Sequence, residues 1–82
     1  MYYLYILRCQ DNSLYTGITT DVRRRLQEHN SSPKGAKYTR ARRPVVLVYT
    51  KKYPTRSKAQ SEEAKVKRLS RLEKNVLIKE TP

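Results

Sequence analysis

Three arginines stand in a row at Arg23-Arg24-Arg25, and the chain's one histidine, His29, follows the third at the spacing of one helical turn. Two adjacent glutamates, Glu62 and Glu63, interrupt a later basic stretch, and Tyr2, Tyr3, Tyr5 and Tyr15 crowd the first fifteen residues. A guanidinium offers a planar fork for phosphate or carboxylate. A carboxylate beside an apolar surface needs a cation, a hydrogen bond or a metal. Tyrosine fills a core as phenylalanine does but carries a hydroxyl that must be satisfied, so its use throughout one hairpin suggests that some hydroxyls have work to do.

The elements around these residues decide where they point. With Val22 as the zero of a helical wheel, Leu26 lies near 40°, Arg25 near about −60° and His29 near about −20°, while Arg23 and Arg24 point outward near about 100° and 200°. Arg25 and His29 therefore flank the Val22/Leu26 stripe. The ordinary explanation is that Arg25 lies along the core edge with its charge in water and His29 packs there. On the second long helix Ala59 and Val66 form the stripe, and Glu63 and Glu62 fall near 40° and about −60° from Ala59. An ion pair with one of the nineteen basic residues would satisfy either carboxylate.

Met1 to Cys9, rich in aromatic and branched residues and apolar on both faces, predicts a central strand. Gln10 to Ser13 is turn chemistry, and Leu14 to Thr19 predicts a second strand that closes a hairpin. A two-residue turn would set Tyr5 and Tyr15 on opposite faces; one residue more, or a bulge, would bring them together. Thr20 or Asp21 caps a helix from Val22 to Asn30. Asn30 to Lys37 reads as loop, Tyr38 to Arg43 is undecided, and Val45 to Thr50 is a third strand ended by Tyr53-Pro54. Thr55 caps a helix over Arg56 to Leu69. Ser70-Arg71-Leu72-Glu73 fits a capping box for a last helix carrying Leu72, Val76 and Leu77. The order ββαβαα predicts an α/β domain of the α+β type, a three-stranded antiparallel sheet flanked by helices, with residues 1–82 as a single domain.

Composition narrows the function. The 82 residues hold nineteen Lys and Arg against seven Asp and Glu, a net charge of +12. One cysteine, Cys9, and one histidine exclude an internal disulfide and a Cys/His zinc site. Two glycines, Gly17 and Gly35, exclude a P-loop or dinucleotide fingerprint. The lone cysteine and the lack of a secretory or membrane-spanning run fit a cytoplasmic protein. Arg23, Arg24, Arg25, Lys34, Lys37, Arg40, Arg42 and Arg43 face only Glu28 in their stretch, which also holds Tyr38. That density is a footprint for a phosphate backbone, or else a solvated face that keeps the chain soluble.

These residues resemble the GIY-YIG nuclease superfamily over nearly the whole chain, and within it the small stand-alone bacterial members that consist of this domain alone. Tyr3-Leu4-Tyr5 stands where the family has Gly-Ile-Tyr, and Tyr15-Thr16-Gly17 where it has Tyr-Ile-Gly. Arg25 matches the family's essential arginine, His29 a His or Tyr one turn later, and Glu63 the metal-binding glutamate; a register error of one residue would substitute Glu62. Lys-Gly-Ala-Lys-Tyr-Thr, residues 34–39, is similar to that branch. Tyr3 and Thr16 depart from the motifs, and Asn75 is the candidate for a further polar residue near the C-terminal end. The resemblance implies that Tyr5 and Tyr15 share a face with Arg25, His29 and Glu63 around it. It implies metal-dependent hydrolysis of nucleic-acid phosphodiesters, with DNA as the expected substrate. Glu63 would hold one Mg²⁺ or Mn²⁺, Arg25 would meet the non-bridging oxygens, and Tyr5, Tyr15 and His29 would orient or deprotonate water. A tyrosine base, ordinarily near pKa 10, needs nearby cations to lower it. The rival readings are a non-catalytic nucleic-acid-binding module using the face from Arg23 to Arg43, and a small interaction protein whose charge only keeps it soluble. A protein partner or homodimer is not indicated.

The basic stretch carries its own test. If six of its side chains meet phosphates, affinity for DNA falls about a thousandfold between ~50 and ~200 mM salt, from the counterions released. Affinity independent of salt in a titration series would remove the nucleic-acid reading.

Overall fold

The turn after the first strand fixes which side chains share a face. In the computed structural model, which describes residues 1–79, β1 (Tyr2–Arg8) and β2 (Leu14–Thr19) are antiparallel, with Tyr5 opposite Gly17 and Leu7 opposite Tyr15. The last residues of the expected domain, 80–82, lie outside the described residues. The register requires a three-residue loop, Gln10 to Asn12. The Cys9 N–H donates to the Ser13 carbonyl (2.9 Å), the Asn12 N–H donates to the Cys9 carbonyl (2.9 Å), and Asn12 takes the left-handed φ of 68° that such a loop needs. Asn tolerates this region better than most residues. Asp11 secures the turn by accepting from the Ser13 N–H (3.0 Å) and hydroxyl. The longer of the two turns is therefore the one formed, and Tyr5 and Tyr15 stand on one face.

The sheet order is β2-β1-β3, with β3 at Val46–Tyr53, so β1 is central as its two-sided apolarity predicts. A bulge on β3 between the partners of Ile6 and Leu7 adds one residue at Val48. The helices are α1 (Val22–Ser31), α2 (Lys37–Arg40), α3 (Arg56–Lys67) and α4 (Arg71–Lys79). The short α2 forms in the segment whose sequence left its structure undecided.

The two faces of β1 bury two separate clusters. Leu4 and Ile6 pack with Tyr49, Tyr53, Ala59 and Val66 beneath α3 and α4; Tyr5, Leu7 and Cys9 pack with Val45, Tyr15 and Leu26 beneath α1. Side chains alternate across the strand, so neighbouring residues serve opposite layers. Caps set the helix ends. The Asp21 carboxylate accepts from Arg24 N–H (3.0 Å) and the Thr55 hydroxyl from Lys58 N–H (3.1 Å). Ser70 and Glu73 form the expected capping box in both directions, at 2.9 and 3.1 Å. The apolar residues of α4 divide between two faces. Leu77 and Ile78 reach the core, whereas Leu72 and Val76 are exposed, because residues four apart share a face and this face turns outward.

Thr16, which stands where the resemblance has isoleucine, is 4% exposed, and its hydroxyl finds no hydrogen-bond partner among the described residues. A buried hydroxyl without a partner costs about 1–3 kcal/mol. Thr16→Val, of the same shape, is expected to stabilise the fold by about 1 kcal/mol or more in urea unfolding. A loss of stability would show that the hydroxyl is in fact satisfied.

Candidate active site

Tyr5 is 2% exposed, and its ring lies across β2 over Gly17. A Cβ at position 17 would meet the Tyr5 hydroxyl oxygen at 2.6 Å and Cζ at 2.7 Å, closer than such atoms approach, so only glycine leaves room for the phenol. The hydroxyl bonds Nε2 of His29 at 2.8 Å. His29, on α1, has no exposed surface, and its Nδ1 bonds the hydroxyl of Thr39 on α2 at 2.7 Å. Tyr15 meets the same imidazole edge-on, with ring centroids 5.2 Å apart, and stacks on its other side with Tyr38 at 6.0 Å. Tyr5, His29, Tyr15 and Tyr38 thus form a continuous aromatic row that runs from the buried face of β1 to the surface.

Two charges act on the Tyr5 hydroxyl from different elements. The Arg25 guanidinium on α1 lies beside it, and the negative charge of Glu63 on α3 is felt there. Arg25 is held in place through Nη1, which donates to Glu28 Oε1 (3.0 Å) and to the Lys34 carbonyl (2.8 Å). Glu63 pairs with Lys67 at 3.3 Å. The neighbouring Glu62 points elsewhere. It pairs with Lys65 at 3.1 Å and Lys58 at 3.6 Å, and its charge is felt by Tyr49 and Tyr53 in the core under the opposite face of the sheet.

Burial dominates the titration of the central pair. It pushes the Tyr5 hydroxyl up to about 12 against the opposing pull of Arg25. It also pushes His29 down to about 4, and the nearby charges of Arg25 and Arg43 work in the same direction, with Glu28 opposing. A tyrosine base requires a lowered pKa, and Tyr5 moves the other way. At neutral pH the pair is a phenol and a neutral imidazole.

The basic stretch divides. Arg23, Arg24, Lys34, Lys37, Tyr38 and Arg40 are exposed. Arg42 donates to Asp11 (3.0 Å) and to the Tyr38 carbonyl (2.9 Å), and its guanidinium covers the Tyr38 ring at 3.8 Å. Arg43 is built into the scaffold. It donates to the carbonyls of His29, Glu28 (3.2 Å) and Ser32 (2.6 Å), which closes the C-terminal end of α1 where helix carbonyls lack partners. That arrangement sets Arg43 apart from the exposed basic residues. Asn30 links the same helix end to β3, donating to the Val45 carbonyl (3.0 Å) and accepting from its N–H (2.7 Å). Asn75, half-buried on α4, makes no described contact with the Tyr5 cluster. A surface depression of about 340 Å³ is lined by Tyr3, Thr20, Asp21, Val22 and Thr50, of which Tyr3 shares a face of β1 with Tyr5 and Thr50 is the β3 partner of Tyr5.

The chain belongs to the GIY-YIG family, whose catalytic domain matches residues 1–75 and defines a nuclease-type fold. The chain is 53% identical over 78 residues to the UPF0213 protein DP2720 of Desulfotalea psychrophila, covering 95% of this chain and 71% of that one. It is 51% identical over 80 residues to a UPF0213 protein of Syntrophus aciditrophicus, covering 98% and 92%. The solution NMR structure of the UPF0213 protein BH0048 from Bacillus halodurans superposes with a TM-score of 0.64 at 50% identity, covering 99% of this chain and 86% of that one. Among the described residues no helix is long and apolar enough to cross a membrane.

The buried imidazole makes stability depend on pH. Folded His29 gains its proton only near pH 4, whereas the unfolded chain gains it near pH 6.5. Between those values the unfolded state binds more protons, so stability falls as pH drops from 6.5 toward 4, by roughly 3 kcal/mol, and this contribution is flat above 6.5. The paired carboxylates Asp11, Glu28, Glu62 and Glu73, each held below its ordinary range, add their own losses only at lower pH. An NMR titration of the single histidine in the folded protein should show no midpoint above about pH 5; a midpoint near 6.5 would show an accessible ring.

Proposed function

We propose that this chain is a metal-dependent phosphodiesterase of the endonuclease type acting on nucleic acid, with DNA as its substrate, that residues 1–82 act as one domain, and that it works in the cytoplasm. The observation that carries the reading is the cluster at the Tyr5 hydroxyl, where β1 and α1 bring a phenol, an imidazole and a guanidinium together and the charge of Glu63 on α3 acts on the phenol.

The donor set suits a hard divalent cation, Mg²⁺ or Mn²⁺. It is all oxygen, and among the described residues no three His, Cys, Asp or Glu gather into a protein cage. Such ions are commonly held through one or two carboxylates, with water and substrate phosphate completing the shell. Glu63 is the proposed ligand rather than Glu62, because Glu62 is held between Lys58 and Lys65 while Glu63 pairs with Lys67 alone. Its ion pair with Lys67 is no obstacle, since pairs of this kind contribute about 0–1 kcal/mol. When bound, the cation would neutralise charge on the phosphoryl and leaving oxygens.

The chain's own residues supply the rest. Arg25, anchored through Nη1, keeps its remaining N–H groups for a non-bridging oxygen and the Tyr5 hydroxyl. Tyr5 and Tyr15 orient the water. His29 Nε2 is the neutral acceptor able to take the phenol's proton when the water gives up its own. Arg23, Arg24, Lys34, Lys37 and Arg40 contact the backbone phosphates, with Tyr38 and Arg42 at the surface end of the aromatic row and Arg43 acting through the scaffold.

Incubation of plasmid and branched DNA with Mg²⁺ or Mn²⁺, with and without EDTA, tests the reading. Cleavage abolished by EDTA is expected, while a mobility shift without cleavage selects a binding module. Arg25→Ala and Glu63→Gln should each lower cleavage by ~10²–10³-fold and leave DNA binding close to wild type. Equal loss of binding in both variants would argue against separate catalytic roles.

A further inference from the structure

The segment Lys34-Gly35-Ala36-Lys37-Tyr38-Thr39 is as basic as its surroundings, yet three of its members turn inward onto α1. Gly35 is buried against the helix end. A Cβ there would meet the Glu28 carbonyl oxygen at 2.7 Å and the His29 Cα at 2.9 Å, both backbone atoms that cannot give way. Only glycine allows the loop to approach so closely. That approach brings Thr39, which has no exposed surface, against His29 Nδ1 at 2.7 Å. The Thr39 hydroxyl also donates to the Ala36 carbonyl at 2.9 Å. Arg43 braces the arrangement from the far side through the His29 carbonyl.

The protons in this chain can be counted. A neutral imidazole carries one N–H, at Nδ1 or at Nε2. If it sits at Nε2, that nitrogen donates to Tyr5, and the phenol's own proton must find another acceptor. Beside the nearly sealed Tyr5 hydroxyl lies Arg25, which only donates. If it sits at Nδ1, the three side-chain protons all have a place: Nδ1–H donates to Thr39 Oγ1, Thr39 donates to the Ala36 carbonyl, and Tyr5 donates to Nε2. The arrangement forfeits only the long contact of the half-buried Ala36 N–H toward Nδ1, at 3.4 Å. Each arrangement leaves one hydrogen without a partner; the second leaves a half-buried backbone N–H in place of a buried phenol proton, the smaller cost.

We propose that Gly35 to Thr39 is a histidine-positioning device, in which the Thr39 hydroxyl holds His29 in its Nδ1–H tautomer and so reserves Nε2 as the acceptor for the Tyr5 hydroxyl. Thr39 is a positioning residue and acts only through His29. The inference deepens the nuclease reading at this histidine, but its test needs no catalysis. The groups facing the ring are Tyr5 from β1, Tyr15 from β2, Arg25 and Glu28 from α1, Thr39 from α2, and Arg43 beyond it.

Because His29 is the chain's one histidine, long-range ¹H–¹⁵N NMR at pH 7 reads its tautomer without ambiguity. The wild-type ring is expected to show protonated Nδ1 and bare Nε2. Thr39→Val, which keeps the shape and removes the hydroxyl, should shift the tautomer ratio toward Nε2–H by about fivefold or more, and Thr39→Ser should restore it. A wild-type ring protonated at Nε2, or a Thr39→Val ratio equal to wild type, would overturn the proposal. If the valine variant does not fold, the wild-type spectrum and the serine variant still decide it. The tautomer found as expected in a chain that cleaves no DNA would sink the nuclease reading alone.

Discussion

Everything at the site depends on a hydrogen-bonded line that runs through one sealed imidazole. Tyr5 comes from the central strand, His29 from the first helix and Thr39 from the second, and two bonds of 2.8 and 2.7 Å join them. None of the three side chains is appreciably exposed. In water such bonds exchange with solvent at little net gain; here no solvent competes, and breaking either leaves a buried polar atom bare. The line therefore fixes where α1 sits on the sheet, and with it the direction in which Arg25 leaves the helix.

Much of the architecture could be read from residue types. The two-sided apolar run at Tyr2 to Arg8 demands the middle of a sheet, and the sheet puts it there. Asp21, Thr55 and the Ser70–Glu73 box cap helices at the positions their chemistry favours. Arg25, His29 and Glu63 stood out because polar groups flank apolar stripes; His29 bonds the Tyr5 phenol, and the charges of Arg25 and Glu63 act on it.

What stayed hidden had physical reasons. Helical periodicity could not separate Glu62 from Glu63, because both flank the Ala59–Val66 stripe; in the fold they differ in their ion pairs, Lys58 and Lys65 for one and Lys67 for the other. The parity of Tyr5 and Tyr15 rests on the length of a turn, and Gln10 to Ser13 accommodates either length until Asn12 adopts positive φ. Arg43 looked like its basic neighbours because charge says nothing about whether carbonyls surround a guanidinium. Thr39 gave no signal of its own. Its neighbour Gly35 did, since one of only two glycines in a chain marks a place where backbones touch.

β1 serves two layers at once, and its thickness separates the phenol from the helix that carries Glu63. Tyr5 stands between Leu4 and Ile6, whose side chains go down to meet Ala59, the fully buried residue one turn before Glu63. The span from phenol to carboxylate is thus gauged by apolar contacts on the reverse side of the sheet. An alanine at position 59 lets α3 lie close; a bulkier group would jack the helix outward and carry the carboxylate away with it. The separation of the phenol from α3 is set by a methyl group on the far side of the strand from the hydroxyl.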